Sequence, residues 1–149
     1  MYRRTFGKVY ELVVTAIHQR LKVKPTGRPA KSTTSVIEKL QRETIRLSQM
    51  QDIAGCRLVV RNVVEQNGLL TRLKSMFPEC TVVDRRQRPS HSYRAVHVIV
   101  QIDDTPLEIQ VRSKLQHVWA EVSEKLSDVV PGLKYGRGPD EIQMVLKLS

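Results

Sequence analysis

Apolar residues recur along this chain with two different periods, and each change of period marks a change of element. Val9, Leu12, Val13, Ala16, Ile17 and Leu21 keep helical spacing and predict an amphipathic helix over about residues 6–22. Lys24 to Thr34, KPTGRPAKSTT, carries two prolines and a glycine and predicts a basic loop. Ser35, with Glu38 three residues on, reads as a capping box that opens a second helix. The run from Ala54 to about Arg61 predicts a central strand, entered from Asp52 and carrying Arg57 inside an otherwise apolar stretch. Residues 64–77, with Leu69, Leu70, Leu73, Met76 and Phe77, read as a third helix stopped by Pro78.

The second half turns to alternation. Thr81–Asp84 is a short predicted strand, followed by the basic loop RRQRPSHS. Tyr93–Gln101 is the next strand, with Tyr93, Ala95, His97 and Ile99 on one face and Arg94, Val96, Val98 and Val100 on the other. Asp103-Asp104 closes a predicted hairpin into Leu107–Arg112, where Leu107, Ile109 and Val111 oppose Glu108, Gln110 and Arg112. Helical spacing returns from Lys114 to about Asp128, and Leu115, Val118, Trp119, Val122 and Leu126 are the expected core stripe. A loop holding Lys134, Tyr135 and Arg137 precedes a last helix from Asp140, whose apolar pattern is cut by the chain's end. The expected architecture is α/β in the α+β sense: one mixed β-sheet flanked by helices, a single domain over residues 1–149.

Composition narrows the partners. Lys and Arg number 25 against 15 Asp and Glu, a formal charge of +10. That excess suits a polyanion (nucleotide polyphosphate, nucleic acid or anionic membrane surface), or only a soluble basic surface. No run approaches the roughly 20 apolar residues of a membrane span. The basic, amphipathic start lacks the apolar core of a signal peptide. Cys56 and Cys80 give no disulfide framework, and a cytoplasmic protein is the simplest expectation.

Chemistry gathers where polar residues share a strand face. Glu108 and Asp52 are carboxylates at strand positions among basic groups, able either to hold Mg²⁺ or to neutralise a nearby arginine. Arg57, inside a strand this apolar, needs an anionic partner. Arg28, Lys31 and Ser32 precede a helix start, with Lys39 one turn inside; they form a polyphosphate cradle or a solvated basic loop. Tyr93 and His97 are a stacking ring with a polar reader, or ordinary sheet packing. His91, His97 and His117 with Cys56 lack zinc spacing, and the His117/Glu121 pair reads as an exposed helix pair. No phosphate-binding glycine loop or nucleophile elbow occurs; a basic binding module is viable, though two Phe and one Trp leave few aromatics for stacking single strands.

The segments DIAGCRLVV, RPSHSYRAVHVIV and LEIQVRSKLQHVWAEVSEK, in this order over roughly residues 20–136, closely resemble the RelA/SpoT synthetase domain. The resemblance implies a nucleotidyltransferase-like fold and transfer of pyrophosphate from ATP to the 3′-hydroxyl of GDP or GTP, with Mg²⁺ as cofactor. It assigns Asp52 and Glu108 to metal and catalysis, and Arg28, Lys31, Ser35, Lys39, Arg57 and Arg112 to ATP. Arg86 or Arg88 would supply a mobile basic loop on the ATP side. Tyr93, His97 and Gln110 fall to the acceptor. Three positions depart from the family pattern: Ser92 replaces the glycine before the tyrosine, Arg28 lies three rather than two residues before Lys31, and Ser113 replaces a threonine. The chain has no room for the hydrolase and regulatory regions of long family members, which makes it resemble a small synthetase or an excised piece of a larger protein. Rival expectations are a toxin-type relative acting on the tRNA 3′ end or on adenine nucleotides, and a non-catalytic nucleotide- or RNA-binding module. A homo-oligomer or an antitoxin protein is a further possible partner.

Overall fold

Strand β2 (Ala54–Val60) and strand β5 (Thr105–Ser113) run parallel at the centre of a five-stranded sheet. β1 (Thr26–Arg28) flanks β2, and β4 (Val96–Ile102) and β3 (Thr81–Asp84) continue beyond β5, all three pairings antiparallel. The strand order is β1-β2-β5-β4-β3. The helices are α1 (Tyr2–Leu21), α2 (Thr33–Arg42), α3 (Val63–Met76), α4 (Lys114–Val129) and α5 (Asp140–Lys147). This computed structural model describes the chain except Met1, Ser48, Gln49, Arg88, Ser90, His91, Ser92, Lys134, Tyr135, Leu148 and Ser149, and the side chains of Tyr2, Arg3, Arg28 and Lys147. The sheet and its flanking helices give the expected α+β class.

Alternation divides the sheet into a dry face and a polar one. Cys56, Leu58, Leu107, Ile109, Val111, Val96, Val98 and Val100 are buried on the dry face with Phe6, Val9, Val13, Ile17 and Leu21 of α1 and Leu69 and Leu73 of α3. Each such side chain withdrawn from water contributes roughly 1.5–3 kcal/mol, so this layer is the main source of stability. The opposite face carries a cross-strand row set by register: Thr26, Arg57, Gln110, His97 and Val83. A second row places Gly55 beside Glu108 and Glu108 beside Ile99. A one-residue slip would exchange the rows with the core, so burial of the dry face fixes the polar face too.

Four expectations need correction. The basic loop contains strand β1, made possible by Gly27: a Cβ there would lie 2.3 Å from the Gly55 carbonyl oxygen. The cap of α2 is Ser32, whose hydroxyl accepts from the Ser35 N–H at 3.3 Å; Ser35 is already inside the helix, so the cap lies three residues earlier than expected and is a simple N-cap. Tyr93 forms an isolated bridge, and β4 proper begins at Val96. The supposed core stripe of α4 is turned outward: Leu115 is 79% exposed and Val118 55%, while Trp119 and Leu126 are only half-buried. On the inner side, Gln116 is hydrogen-bonded to α3, and Glu124 looks into a cavity over the sheet. No helix among the described residues is long and apolar enough to cross a membrane.

Candidate active site

The polar sheet face forms the floor of a cavity of about 890 Å³, at the upper end of the range for small-molecule sites. Glu108, Gln110 and Arg112 of β5, Arg57 of β2, Tyr93 and His97 all line it. Lys39 from α2, with Lys31 and Asp52 from the segments preceding α2 and β2, line the β1 side. The Lys31 N–H donates to the Ile53 carbonyl at 2.6 Å, which pins the basic segment against the approach to β2.

Five side chains close a ring on this floor. Arg112 donates through Nη2 to the Tyr93 hydroxyl at 2.8 Å and to Gln110 Oε1 at 3.0 Å. Gln110 Nε2 donates to Glu108 Oε2 at 2.8 Å, and His97 Nδ1 lies 2.5 Å from Glu108 Oε1. His97 Nε2 meets the Tyr93 hydroxyl at 3.1 Å. A carboxylate can only accept, so Nδ1 carries the proton that faces Glu108. Burial would push Glu108 above the ordinary carboxylate range, and the Asp52 charge pushes the same way; the His97 and Gln110 hydrogen bonds outweigh both and hold it below. Burial raises Tyr93, partly opposed by Arg112, whose guanidinium carbon lies 4.9 Å from the ring centroid.

Asp52 is neutralised by two cations. Lys31 Nζ and Lys39 Nζ each lie 2.9 Å from one of its oxygens. Burial alone would raise its pKa, but hydrogen bonds from Lys39 and Lys31 hold it below the usual range. Cation balance fails on the next strand. Burial and then the charge of Arg112 lower the Arg57 pKa, and the Nε atoms of Arg57 and Arg112 are buried without a hydrogen bond among the described residues. Two guanidiniums that repel each other, each with a buried Nε left unpaired, favour an anion with several acceptor oxygens. Cys56 also borders the cavity, but burial and then Glu108 push its thiol up to about 12, so it is no nucleophile.

The residues also suit a hard cation. Asp52 and Glu108 are close enough for the charge of one to raise the pKa of the other. Asp52 already gathers two ammonium groups, so its carboxylate is a cation-binding point. Among the described residues no group of three His, Cys, Asp or Glu forms a closed metal cage. A pair of carboxylates plus water and phosphate oxygens matches the coordination habit of Mg²⁺.

Of the expected residues, Asp52, Glu108, Lys31, Lys39, Arg57, Arg112, Tyr93, His97 and Gln110 converge on one cavity. Ser35 does not line it; its hydroxyl accepts from Ser32 Oγ at 2.8 Å. Arg86 does not line it either, being bound to Asp84 and Asn67. Arg28 pairs through its backbone with Gly55, but its side chain lies outside the description, as do Arg88 and Ser92. Arg85 and Glu124 line the cavity without having been singled out. For Arg85 the available signal was its place in the basic loop RRQRPSHS.

The family model described as "Region found in RelA / SpoT proteins" matches residues 27–127. The chain belongs to the RelA/SpoT family. An uncharacterized protein of Mycobacterium tuberculosis is 34% identical over 118 residues, 76% of this chain and 43% of its own length. A probable chloroplastic GTP diphosphokinase of Arabidopsis thaliana is 32% identical over 96 residues, 61% of this chain and 13% of that protein. The chain thus spans under half the length of these curated relatives. Among solved structures, small alarmone synthetase 1 from Bacillus subtilis bound to its product pppGpp superposes with a TM-score of 0.69 at 25% identity, covering 92% of this chain and 83% of that one. The fold is that of the small alarmone synthetases.

Proposed function

We propose that this domain is a (p)ppGpp synthetase: it transfers the β,γ-pyrophosphoryl group of ATP to the ribose 3′-hydroxyl of GDP or GTP and releases AMP. The observation that carries this reading is the juxtaposition on one cavity floor of two guanidiniums with unpaired buried Nε atoms, Arg57 and Arg112, with the Glu108–His97–Tyr93 ring. The related synthetase that binds pppGpp supports the same product class.

In the proposed reaction the 3′-oxygen bonds to the β-phosphorus while the bond from that phosphorus to the oxygen bridging to the α-phosphate breaks, the bridging oxygen leaving with AMP. Mg²⁺, held by Asp52 and Glu108, would supply neutralisation of phosphate charge when bound. Lys31 and Lys39, now on Asp52, are within reach of the same cavity and would turn to the donor phosphates as Asp52 takes the metal. Arg57 and Arg112 stabilise the transferring group. Glu108 accepts the hydrogen bond of the attacking hydroxyl and orients it. Its lowered pKa suits an orienting acceptor more than a strong base, and a loose phosphoryl transition state demands little early deprotonation. Tyr93 stacks on the acceptor base, and His97 and Gln110 fix Tyr93 and Glu108.

The test is transfer of label from γ-labelled ATP with Mg²⁺, offering GDP, GTP, ATP and deacylated tRNA separately. Label on the guanine nucleotides is the expected result. Label on tRNA or ATP alone would replace the acceptor, and label on none would leave a binding module. A cytoplasmic setting, an oligomer and an antitoxin partner are readings of the same proposal, to be tested in cells and by mass measurement.

A further inference from the structure

Arg85 and Arg86 stand together in the turn that follows β3, and the Arg85 N–H donates to the Ala95 carbonyl at 2.9 Å. Arg85 lines the cavity, as do Val83, Tyr93 and His97. Arg86 spends its guanidinium elsewhere: Nε donates to Asp84 Oδ1 at 3.0 Å, Nη2 to Asp84 Oδ2 at 2.6 Å, and Nη1 to Asn67 Oδ1 at 2.6 Å and Gln66 Oε1 at 3.4 Å. Its backbone N–H also donates to Asp84 Oδ1, at 2.9 Å.

The network continues inward. Gln66 is 0% exposed, and its Nε2 donates to the Val111 carbonyl at 2.8 Å and to Gln116 Oε1 at 2.9 Å. Gln116 Oε1 also accepts the Ser113 N–H at 3.1 Å. Val111 and Ser113 are the residues on either side of Arg112. One chain of hydrogen bonds therefore ties the neighbour of Arg85 to both neighbours of Arg112, and none of its members lines the cavity. Leu69 and Leu73 already hold α3 to the sheet by apolar burial, so this polar chain adds direction rather than adhesion.

The geometry points to Arg86 as a positioning residue, locked by Asp84, Asn67 and Gln66 so that Arg85 is held over the cavity to bind the acceptor's 5′-phosphates. The inference rests on the acceptor reading of Tyr93 and His97. The strand order places Arg85 at the β3 edge with those two residues, while Lys31 and Lys39 lie at the β1 edge beyond Glu108. A guanidinium suits a phosphate because its planar fork can donate twice.

The test is a double-mutant cycle on Arg85→Gln and Arg86→Lys, read as the Kd of GDP by calorimetry with Mg²⁺ and as the KM values of GDP and ATP in transfer. Arg85→Gln is expected to weaken GDP about tenfold and to leave the ATP KM within about twofold. Arg86→Lys should weaken GDP in the same sense but less, and the double variant should be no worse than Arg85→Gln alone, because Arg86 acts through Arg85. Additive penalties, or an Arg86→Lys effect confined to melting temperature or to ATP, overturn the inference. Should Arg86→Lys fail to fold, Asn67→Ala loosens one arm of the same clamp and replaces it in the cycle. If the parent binds GDP and Arg85→Gln binds it equally well, only this inference falls. If the parent binds neither GDP nor GTP, the acceptor reading falls and takes this inference with it.

Discussion

Glu108 must remain ionised while almost enclosed, and the two hydrogen bonds that secure it also fix its direction. Glu108→Gln keeps the shape but gives one of its two donor neighbours a second donor to face. Transfer should fall by at least about 100-fold, as for loss of a preorganised acid–base or electrostatic group. The melting temperature should drop by only about 2–4 °C, the scale of one lost hydrogen bond in a domain of this size. Wild-type activity in this variant would end the assigned role. Because Glu108 lies below its ordinary 4.5, the acid limb of the pH–rate profile should fall below that value; a limb between pH 6 and 7 would point to histidine instead. Asp52 offers a stability test. Its folded pKa lies below the ordinary 3.8, so its contribution is fully present above about that pH and is lost as pH falls through the depressed folded value. Asp52→Asn, which leaves Lys31 and Lys39 facing each other, should cost about 1–2 kcal/mol at pH 7, less than a fully buried pair because the groups keep some solvent. Urea midpoints at pH 7 and pH 3 should show the gap narrowing in acid; a constant gap would mean that the ion pairs contribute nothing.

Elements differ in how much tertiary context they need. The β4–β5 hairpin needs little: Asp103 (φ 48°) and Asp104 (φ 59°) both occupy the left-handed region demanded by a two-residue turn of the primed type. Left-handed backbone costs a non-glycine residue about 1–2 kcal/mol, and glycine's freedom in the unfolded chain costs about 0.4–1. Asp104→Gly should therefore stabilise the fold by about 0.5 kcal/mol, seen as a small rise in denaturant midpoint at constant slope; a fall would mean the aspartate makes a compensating contact. This turn was legible in the sequence, as were the central strands and the Glu108–Gln110–Arg112 row, because a strand's two faces follow from period two alone. α4 was legible as a helix and misread in orientation. An apolar stripe tells which residues share a side, not that the core lies there, and here a polar cavity occupies the inner side. β1 is three residues long and depends on the close approach at Gly27, which no local pattern announces. Gln66 was equally opaque: a glutamine on an amphipathic helix is usually solvated, and only its burial against β5 and α4 reveals its partners.

At the scale of the molecule, the formal charge of +10 meets a cavity whose cations are divided between satisfied and unsatisfied groups. Lys31 and Lys39 are engaged with Asp52, whereas Arg57 and Arg112 have buried nitrogens without partners. A metal arriving alone would have to displace two ammonium groups from Asp52 and leave them in a cavity that is already positive. A polyphosphate arriving alone would satisfy the guanidiniums but find the lysines occupied. Arriving together, each relieves the other's cost, so metal and nucleotide binding should be coupled and, by linkage, reciprocally so. The expected signature is thermal: Mg²⁺ alone should shift the melting temperature by no more than about 1 °C. A non-hydrolysable ATP analogue with Mg²⁺, at about 100 times its Kd, should add about 2.7 kcal/mol, or roughly 5–10 °C for a chain this long. The analogue with a chelator should recover well under half of that. Asp52→Asn should abolish the difference between Mg²⁺ and chelator while preserving a shift from the analogue alone, because its lysines are then released to the phosphates in advance. A full shift in chelator for the parent protein would show that the arginines and lysines bind the donor without a metal, and the carboxylate pair would lose its proposed part in donor binding.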